Sequence, residues 1–401
     1  LICIPLFLSL FFSLFTLIIG PFLSFNFSSL LLFSGGLAFF DFLRAKILTG
    51  FPWNLWAYSF SWATEIIQIV NKLGFFGFNL ICITVFTIPV VVLFKQKTFQ
   101  KFLFLSFIPL FFISLFIYGN HSINQNNKKI SLIDKKYNIK VISPNFELQY
   151  GLSEEEIKTR LKKLVRYSDP NKNIKTLFVW PEGVFSGYSF NDILILKDTF
   201  TKSFNKNHLI VFGKNRNNKK KNGFFNSLII VNNRMEIIEE YKKQKLVPFG
   251  EFLPLENLLS QFGLKKITEG YGSFLRGNNQ KNLITDELNI LPLICYEIIF
   301  PKLTQLSDPS TNLIVNISED GWFGHSIGPH QHFAHSIYRA IESGKYVLRS
   351  ANNGITAIVN PLGVVEEEVD LNQSGFVDLF KTKKIEPTIF SKYGNKIFAL
   401  I

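Results

Sequence analysis

Four apolar runs fill the first 119 residues of this 401-residue chain, and they constrain everything that follows. Residues 1–19 and about 22–43 are split by Gly20-Pro21, and two more runs cover about 73–94 and 102–119. Each is long enough for a bilayer core, which takes about 20 helical residues. Inside lipid every backbone polar group must be satisfied within the segment, so these runs are expected to be helices. The apolar sequence continues far beyond the hydrophobic region of a secretory signal peptide, so one is not expected here. Between the second and third runs, residues 48–61 carry Trp53, Trp56 and Tyr58, the aromatic pattern of the headgroup zone. Residues 62–72 mix Glu65, Gln68, Asn71 and Lys72 with apolar positions, as a helix lying along a membrane surface does. Asp41 and Glu65 are the only acids before residue 120, and an interfacial place is expected for both.

Lys95, Lys97 and Lys101 fall between the third and fourth spans, which makes that loop cytoplasmic by the positive-inside rule. The large polar region is then expected on the opposite face. Lys128, Lys129, Lys135 and Lys136 flank the last span on that side, but long domains translocate largely regardless of such charges. The formal charge of +13 points to an anionic partner. No nucleic-acid motif is present and the lysines are scattered among Asn-rich loops, so the charge reads as a solvated surface with a bias toward phospholipid. Met235 is the only methionine, so the chain is expected not to begin at its initiator: it is either processed or a fragment lacking an N-terminal element. The apolar Ile397–Ile401 is expected to lead into a truncated final span.

Four regions are expected: transmembrane helices with an interfacial loop over 1–119, a polar linker over 120–136, an α/β domain over 137–384, and a C-terminal segment over 385–401. Within the α/β domain, 139–143, 176–180, 209–213, 227–231, 291–296, 313–317 and 355–359 read as strands. Ser153-Glu154-Glu155-Glu156 is a capping box that opens a helix to about Tyr167, and 331–343 reads as a second helix. Cys3 and Cys82 lie in apolar stretches, which leaves Cys295 alone in the polar part and rules out a disulfide framework there.

Three segments place reactive groups at the ends of expected strands. In Leu177-Phe178-Val179-Trp180-Pro181-Glu182 the carboxylate follows an apolar strand and a Trp-Pro corner, where low dielectric raises its basicity. Tyr241-Lys242-Lys243-Gln244-Lys245 would by itself be a solvated basic run. Leu246-Val247-Pro248-Phe249 after it points inward, however, and Glu251 offers a partner for a buried ammonium. Ile294-Cys295-Tyr296-Glu297 presents a thiol at the close of an apolar strand; taken alone, Cys295 would be a small core residue. A thiol, a carboxylate base and an ammonium together suit acyl transfer, with the ammonium and a backbone N–H on the oxyanion.

Trp-Pro-Glu, Tyr-x-Lys-x-x-Leu and Cys-Tyr-Glu in this order resemble the Glu-Lys-Cys triad of the nitrilase (carbon–nitrogen hydrolase) superfamily. Gly50-Phe51-Pro52-Trp53-Asn54, Leu246–Glu251, Asp320-Gly321-Trp322-Phe323-Gly324, Arg339-Ala340-Ile341-Glu342 and Arg349–Gly354 resemble, more narrowly, the apolipoprotein N-acyltransferase family of bacterial inner membranes. The resemblance implies an α-helical transmembrane region joined to a nitrilase-like αββα sandwich. It makes Glu182 the general base, Lys243 the oxyanion stabiliser and Cys295 the nucleophile. Glu251, Tyr296 and Glu297 become supporting residues, and Trp53, Asn54, Trp322 and Phe323 substrate-facing or interfacial ones. Lys243, rather than Lys242 or Lys245, holds the third position of the Tyr-x-Lys pattern. The family's Trp after the first catalytic strand is missing from Ser143–Tyr150, where Tyr150 is the nearest aromatic.

The implied reaction moves an acyl chain from a phospholipid, typically phosphatidylethanolamine, through a Cys295 thioester. The acceptor is the α-amino group of a diacylglyceryl-cysteine in an apolipoprotein. The catalytic domain is then expected on the periplasmic side. No cofactor is implied, because the donor is already an ester. His325, His330, His332 and His335 fall close together, but their spacing matches no common zinc pattern, so no metal is expected. A membrane-tethered amidase on a small amide is the nearest rival reading, and it gives no reason for Phe51-Pro52-Trp53-Asn54; a catalytically dead membrane scaffold or transporter component is a second, against which intact Glu182, Lys243 and Cys295 argue.

Overall fold

The computed structural model describes residues 3–129, 131–133, 137–149, 151–218, 223–256, 261, 273–278, 281–285, 288–305, 310–311, 313–379 and 382–401. Tyr150 lies outside the described residues. The chain divides into two compact units, one of Leu1–Ile130, Ile341–Gly344 and Glu386–Ile401, the other of Ser131–Ala340 and Lys345–Ile385.

The first unit is helical. Among the described residues its four long helices are Cys3–Ile19, Phe27–Arg44, Val70–Thr87 and Thr98–Lys129, and four stretches are long and apolar enough to cross a membrane. Pro21 sits in the short 3-10 turn Gly20–Phe22 that separates the first two. Asn26 caps the second, its side chain accepting Ser29 N–H at 2.8 Å. Gly74, at φ 72°, kinks the third where a Cβ would lie 2.0 Å from the Phe390 ring. Leu6, Leu17, Phe99, Leu110 and Ile117 are exposed along these helices, as lipid-facing residues are. Asp41 and Arg44 are buried together, Nη2 to Oδ1 at 3.0 Å. Asn79 donates to Asp41 Oδ2 at 3.1 Å, and Arg44 Nη2 donates to Asn54 O at 3.2 Å.

The fourth helix corrects one expectation, because it continues to Lys129 through residues read as linker. No Gly or Pro follows Gly119 before Lys129, so nothing there breaks the helix. The C-terminal segment is a set of short turns: Thr388 caps Ile389–Tyr393, and Phe398 packs on Phe42 with ring centroids 4.8 Å apart.

The second unit contains two six-stranded sheets. One runs Gly375–Leu379, Asn138–Ser143, Thr176–Val179, His208–Asn218, Gly223–Val231, Ile237–Lys242. The other runs Val365–Val369, Thr356–Val359, Tyr346–Asn352, Leu313–Glu319, Asn289–Ile294, Leu283–Ile284. Three central strands in each are mutually parallel.

Side-chain parity explains how the layers assemble. Ile139, Val141, Leu177, Val179, Leu209, Val211, Leu228 and Ile230 form one apolar core with Ile290, Ile294, Leu313, Val315 and Ile317 of the other sheet. The intervening residues Ile142, Phe178, Ile210, Phe212, Ile229 and Val231 face the opposite way and pack against Ile157, Leu161, Leu164, Phe200 and Phe204. Strands buried on both faces read as continuous apolar runs, as these do. Helix Glu154–Ser168 opens on the capping box expected at Ser153 and Glu156, worth about 1 kcal/mol for the cap. Its buried Ile157, Leu161, Leu164 and Ser168 fall on one stripe. The architecture of this unit is an α/β sandwich of two sheets with their parallel strands at the centre.

The strand expected over 291–296 ends at Ile294 instead. Cys295 has φ 49°, a left-handed conformation that leaves the strand and costs a non-glycine residue roughly 1–2 kcal/mol. The short helix Cys295–Ile299 begins there.

Candidate active site

Parallel strands in both sheets end on the same group of polar residues. Glu182 follows Thr176–Val179 by a corner in which Trp180 is fully buried and donates Nε1–H to Ser168 Oγ at 3.0 Å. Gly213 on the next strand permits the close approach, since a Cβ there would meet Glu182 Cα at 2.9 Å. Lys243 follows Ile237–Lys242, and its backbone N–H is held by Asn226 O at 2.8 Å. Cys295 stands at the end of Asn289–Ile294, partly buried against the inter-sheet core.

The charged groups interlock. Lys243 Nζ lies 2.9 Å from Glu251 Oε1 and 3.9 Å from Glu182 Oε1. Asn226 Nδ2 bridges the same two carboxylates, donating to Glu182 Oε1 at 2.7 Å and Glu251 Oε1 at 2.9 Å. Glu182 Oε2 accepts Glu319 N–H at 3.2 Å, and Glu251 Oε2 accepts Val247 N–H at 2.9 Å. Lys242 lies over the Phe225 ring and Lys245 over the Phe300 ring, so of the three lysines it is Lys243 that meets the two carboxylates.

These contacts set the proton affinities. Burial, with the nearby Glu251 charge, pushes Glu182 above the usual carboxylate range, against the pull of Lys243. Burial alone would lower Lys243, but the Glu251 and Glu182 carboxylates hold its ammonium well above the ordinary lysine value. Burial and the Glu182 charge push the Cys295 thiol up to about 12, while Lys243 pulls the other way. A thiol raised this far rests protonated, and any attack by its sulfur would require a base.

Glu297 turns out to be a brace. Its Oε1 accepts from Gln244 N at 2.7 Å, Tyr241 Oη at 2.8 Å and Lys245 N at 3.0 Å, and its Oε2 accepts Ile294 N–H at 2.9 Å. One carboxylate thus ties the turn of the thiol to the turn of the lysine. Tyr296 is buried and meets Phe300 edge to face. Trp322 is 47% exposed beyond strand Leu313–Glu319, and Phe323 packs edge-on against His332. Trp53 stacks on Phe51 in the helical unit, and Asn54 there is held through its carbonyl by Arg44.

Sequence reasoning missed Asn226 and Glu319. Asn226 lies inside strand Gly223–Val231, and only the register beside Lys242 and Lys243 brings it to the carboxylates. Glu319 is buried; its Oε1 accepts Gly321 N–H at 3.0 Å and its Oε2 accepts from Asn352 Nδ2 at 2.8 Å. Burial pushes its carboxyl up to about 8, with Glu182 and Asp320 adding to the rise.

The sequence profile of carbon-nitrogen hydrolases matches residues 149–378, and that of the apolipoprotein N-acyltransferase N-terminal domain matches residues 1–88. The chain is 32% identical over 368 residues to the apolipoprotein N-acyltransferase of Rickettsia prowazekii (strain Madrid E), covering 90% of this chain and 72% of that protein. It is 33% identical over the same length to the one from Rickettsia bellii (strain RML369-C), again covering 90% and 72%. Among solved structures it is similar to Saccharomyces cerevisiae Nit3 of the nitrilase superfamily, with 16% identity, 64% of this chain and 93% of that one covered, and a TM-score of 0.44. The chain belongs to the apolipoprotein N-acyltransferase family, acyltransferases built on the carbon–nitrogen hydrolase fold.

Proposed function

We propose that this protein transfers an acyl chain from a phospholipid to the α-amino group of diacylglyceryl-cysteine at an apolipoprotein N-terminus, through a thioester on Cys295. Glu182 takes the thiol proton as sulfur attacks the ester carbonyl, and the Lys243 ammonium faces the oxygen that becomes negative. Collapse breaks the ester C–O bond, and Glu182 returns the proton to the leaving glycerol oxygen, releasing a lysophospholipid. The lipoprotein amine then attacks the thioester carbonyl. Its proton passes by way of Glu182 to the departing Cys295 sulfur, and an amide is left. An ester is activated enough for this exchange, and the amide product drives it forward.

The observation that carries the reading is the approach of Lys243 to both Glu251 and Glu182 at the strand ends beside Cys295, in a chain of this family. The four apolar helices supply the second support, because both substrates are lipids held in a bilayer. Phosphatidylethanolamine, acylated at its sn-1 position, is the donor we assign. The membrane is the bacterial inner membrane, with the catalytic unit on its periplasmic side, following the charge of Lys95, Lys97 and Lys101.

The test is to incubate the membrane fraction with sn-1-labelled phosphatidylethanolamine and a diacylated lipopeptide bearing a free α-amine. Label should appear in an amide. Release of labelled fatty acid without amide would favour a hydrolase, and no turnover at all would sink the reading. For orientation, Gln125→Cys should react with an impermeant thiol reagent in intact spheroplasts, above the background of the parent chain. Labelling only after the membrane is opened would reverse the topology.

A further inference from the structure

A buried polar network stands behind Cys295, and the acyl-transfer steps above make no use of it. His332 Nε2 lies 3.2 Å from the Cys295 carbonyl oxygen, and Asn316 Nδ2 approaches the same oxygen at 3.5 Å while donating to Leu293 O at 3.2 Å. A carbonyl only accepts, so Nε2 carries a hydrogen. Nδ1 lies 3.0 Å from both Arg349 Nη2 and Asp320 Oδ1. The Arg349–Asp320 pair thus meets the ring on its far side and fixes the direction in which Nε2 points. Arg349 Nη2 also donates to Asp320 Oδ2 at 2.7 Å, and its Nη1 donates to Asn316 Oδ1. One guanidinium thus orients both groups that reach the carbonyl. Asn316, Arg349 and His332 are inaccessible to solvent.

Asp320, His332 and Arg349 come from three different elements: the turn after Leu313–Glu319, helix Gly328–Ser343 and strand Tyr346–Asn352. They converge on the two side chains, His332 and Asn316, that reach the Cys295 oxygen, and this matters because of where that oxygen sits. Cys295 is in the left-handed region, at φ 49°, and such a turn persists only where its surroundings over-determine it. In a trans peptide the C=O and the next N–H point opposite ways. Holding the Cys295 oxygen therefore also fixes the direction of the Tyr296 N–H.

We infer that His332 and Asn316 are positioning residues for the nucleophile, holding the Cys295 carbonyl from behind so that the strained turn keeps the thiol and the Tyr296 N–H aimed at the substrate. Arg349 and Asp320 set the orientation of the two holders. The inference rests on Cys295 being the nucleophile, and it assigns a purpose to the Asp320–Gly324 and Arg349–Gly354 segments and to one histidine of the cluster.

The test uses the full chain with phosphatidylethanolamine vesicles and reads the single-turnover rate of Cys295 acylation, the KM for phospholipid and the melting temperature. His332→Phe removes both ring nitrogens; His332→Gln keeps a donor that can reach the carbonyl. A misaimed nucleophile should slow acylation about 100-fold with KM unchanged, and the Gln variant should regain at least about tenfold of that loss. If His332→Phe does not fold, Asn316→Asp is read in its place; it keeps a partner for Arg349 but loses the donor, and the same slowing with unchanged KM is expected. Wild-type acylation in the folded variant, or a Gln variant no faster than Phe, would overturn the inference. Cys295→Ala separates the two claims: activity in that variant defeats the nucleophile assignment itself, whereas an inactive Cys295→Ala beside a fully active His332→Phe defeats only the positioning role.

Discussion

Lys243 and Glu251 are locked together, Nζ to Oε1 at 2.9 Å, while the same ammonium stands 3.9 Å from Glu182. The two carboxylates are therefore held differently. Glu251 is bound directly to the buried lysine and to Val247 N–H, whereas Glu182 stands farther from the ammonium, and burial raises it above the usual carboxylate range, as the proposed proton transfer from a thiol requires.

Breaking this pair from one side should cost more than removing it. Lys243→Met leaves two buried carboxylates without their cation and is expected to cost about 3–5 kcal/mol, the usual penalty for an orphaned buried charge. Adding Glu251→Gln to it should recover part of that loss, and neither variant should transfer acyl groups. Thermal melts of the two purified variants check the order; a double variant less stable than Lys243→Met would contradict it.

Glu182→Gln keeps the shape of the site and removes the proposed base. Acyl transfer should fall by at least about 10³-fold, with the melting temperature little changed. Combining it with Cys295→Ala should be no worse than the worse single variant, because the residues act as one unit. Additive losses in the double variant would mean that the two do not share a step.

The Glu319 carboxyl makes stability depend on pH in a definite direction. Burial, helped by Glu182 and Asp320, raises it to about 8 in the folded chain, against about 4.3 in an unfolded one. Between these values the folded state holds a proton that the unfolded state has lost, so stability falls as pH rises through that window. Glu319→Gln should flatten the fall. Its melting temperature should match the parent near pH 5 and exceed it above pH 8. Parallel profiles for the two proteins would refute the assignment.

Much of this was legible because the chemistry sits at the ends of apolar strands, where one polar residue stands out. Glu182 after Trp180-Pro181 and Cys295 after Ile294 are visible in that way, and the Ser153–Glu156 capping box marks its helix start to the residue. Strand Ile237–Lys242 was not legible, because Glu239, Glu240 and Lys242 on a partly exposed strand look like a solvated run. Strand Tyr346–Asn352 was hidden for the opposite reason: its Arg349, Ser350 and Asn352 are wholly buried, yet polar. The contacts of Asn226, Glu319 and His332 depend on register and on elements far apart in sequence. Spacing alone carries no trace of them, and the histidine cluster invited only the question of a metal.

The central claim is a covalent acyl-enzyme on Cys295, and intact-mass spectrometry reads it directly. An acyltransferase must keep water from its thioester until the amine arrives. Protein mixed with phosphatidylethanolamine alone should therefore gain one fatty-acyl mass, sensitive to neutral hydroxylamine and absent in Cys295→Ala. A diacylated lipopeptide with a free α-amine should discharge it to a hydroxylamine-resistant amide, and an N-acetylated lipopeptide should not. Absence of any acyl adduct on Cys295, or its steady loss as free fatty acid without the lipopeptide, would contradict the account.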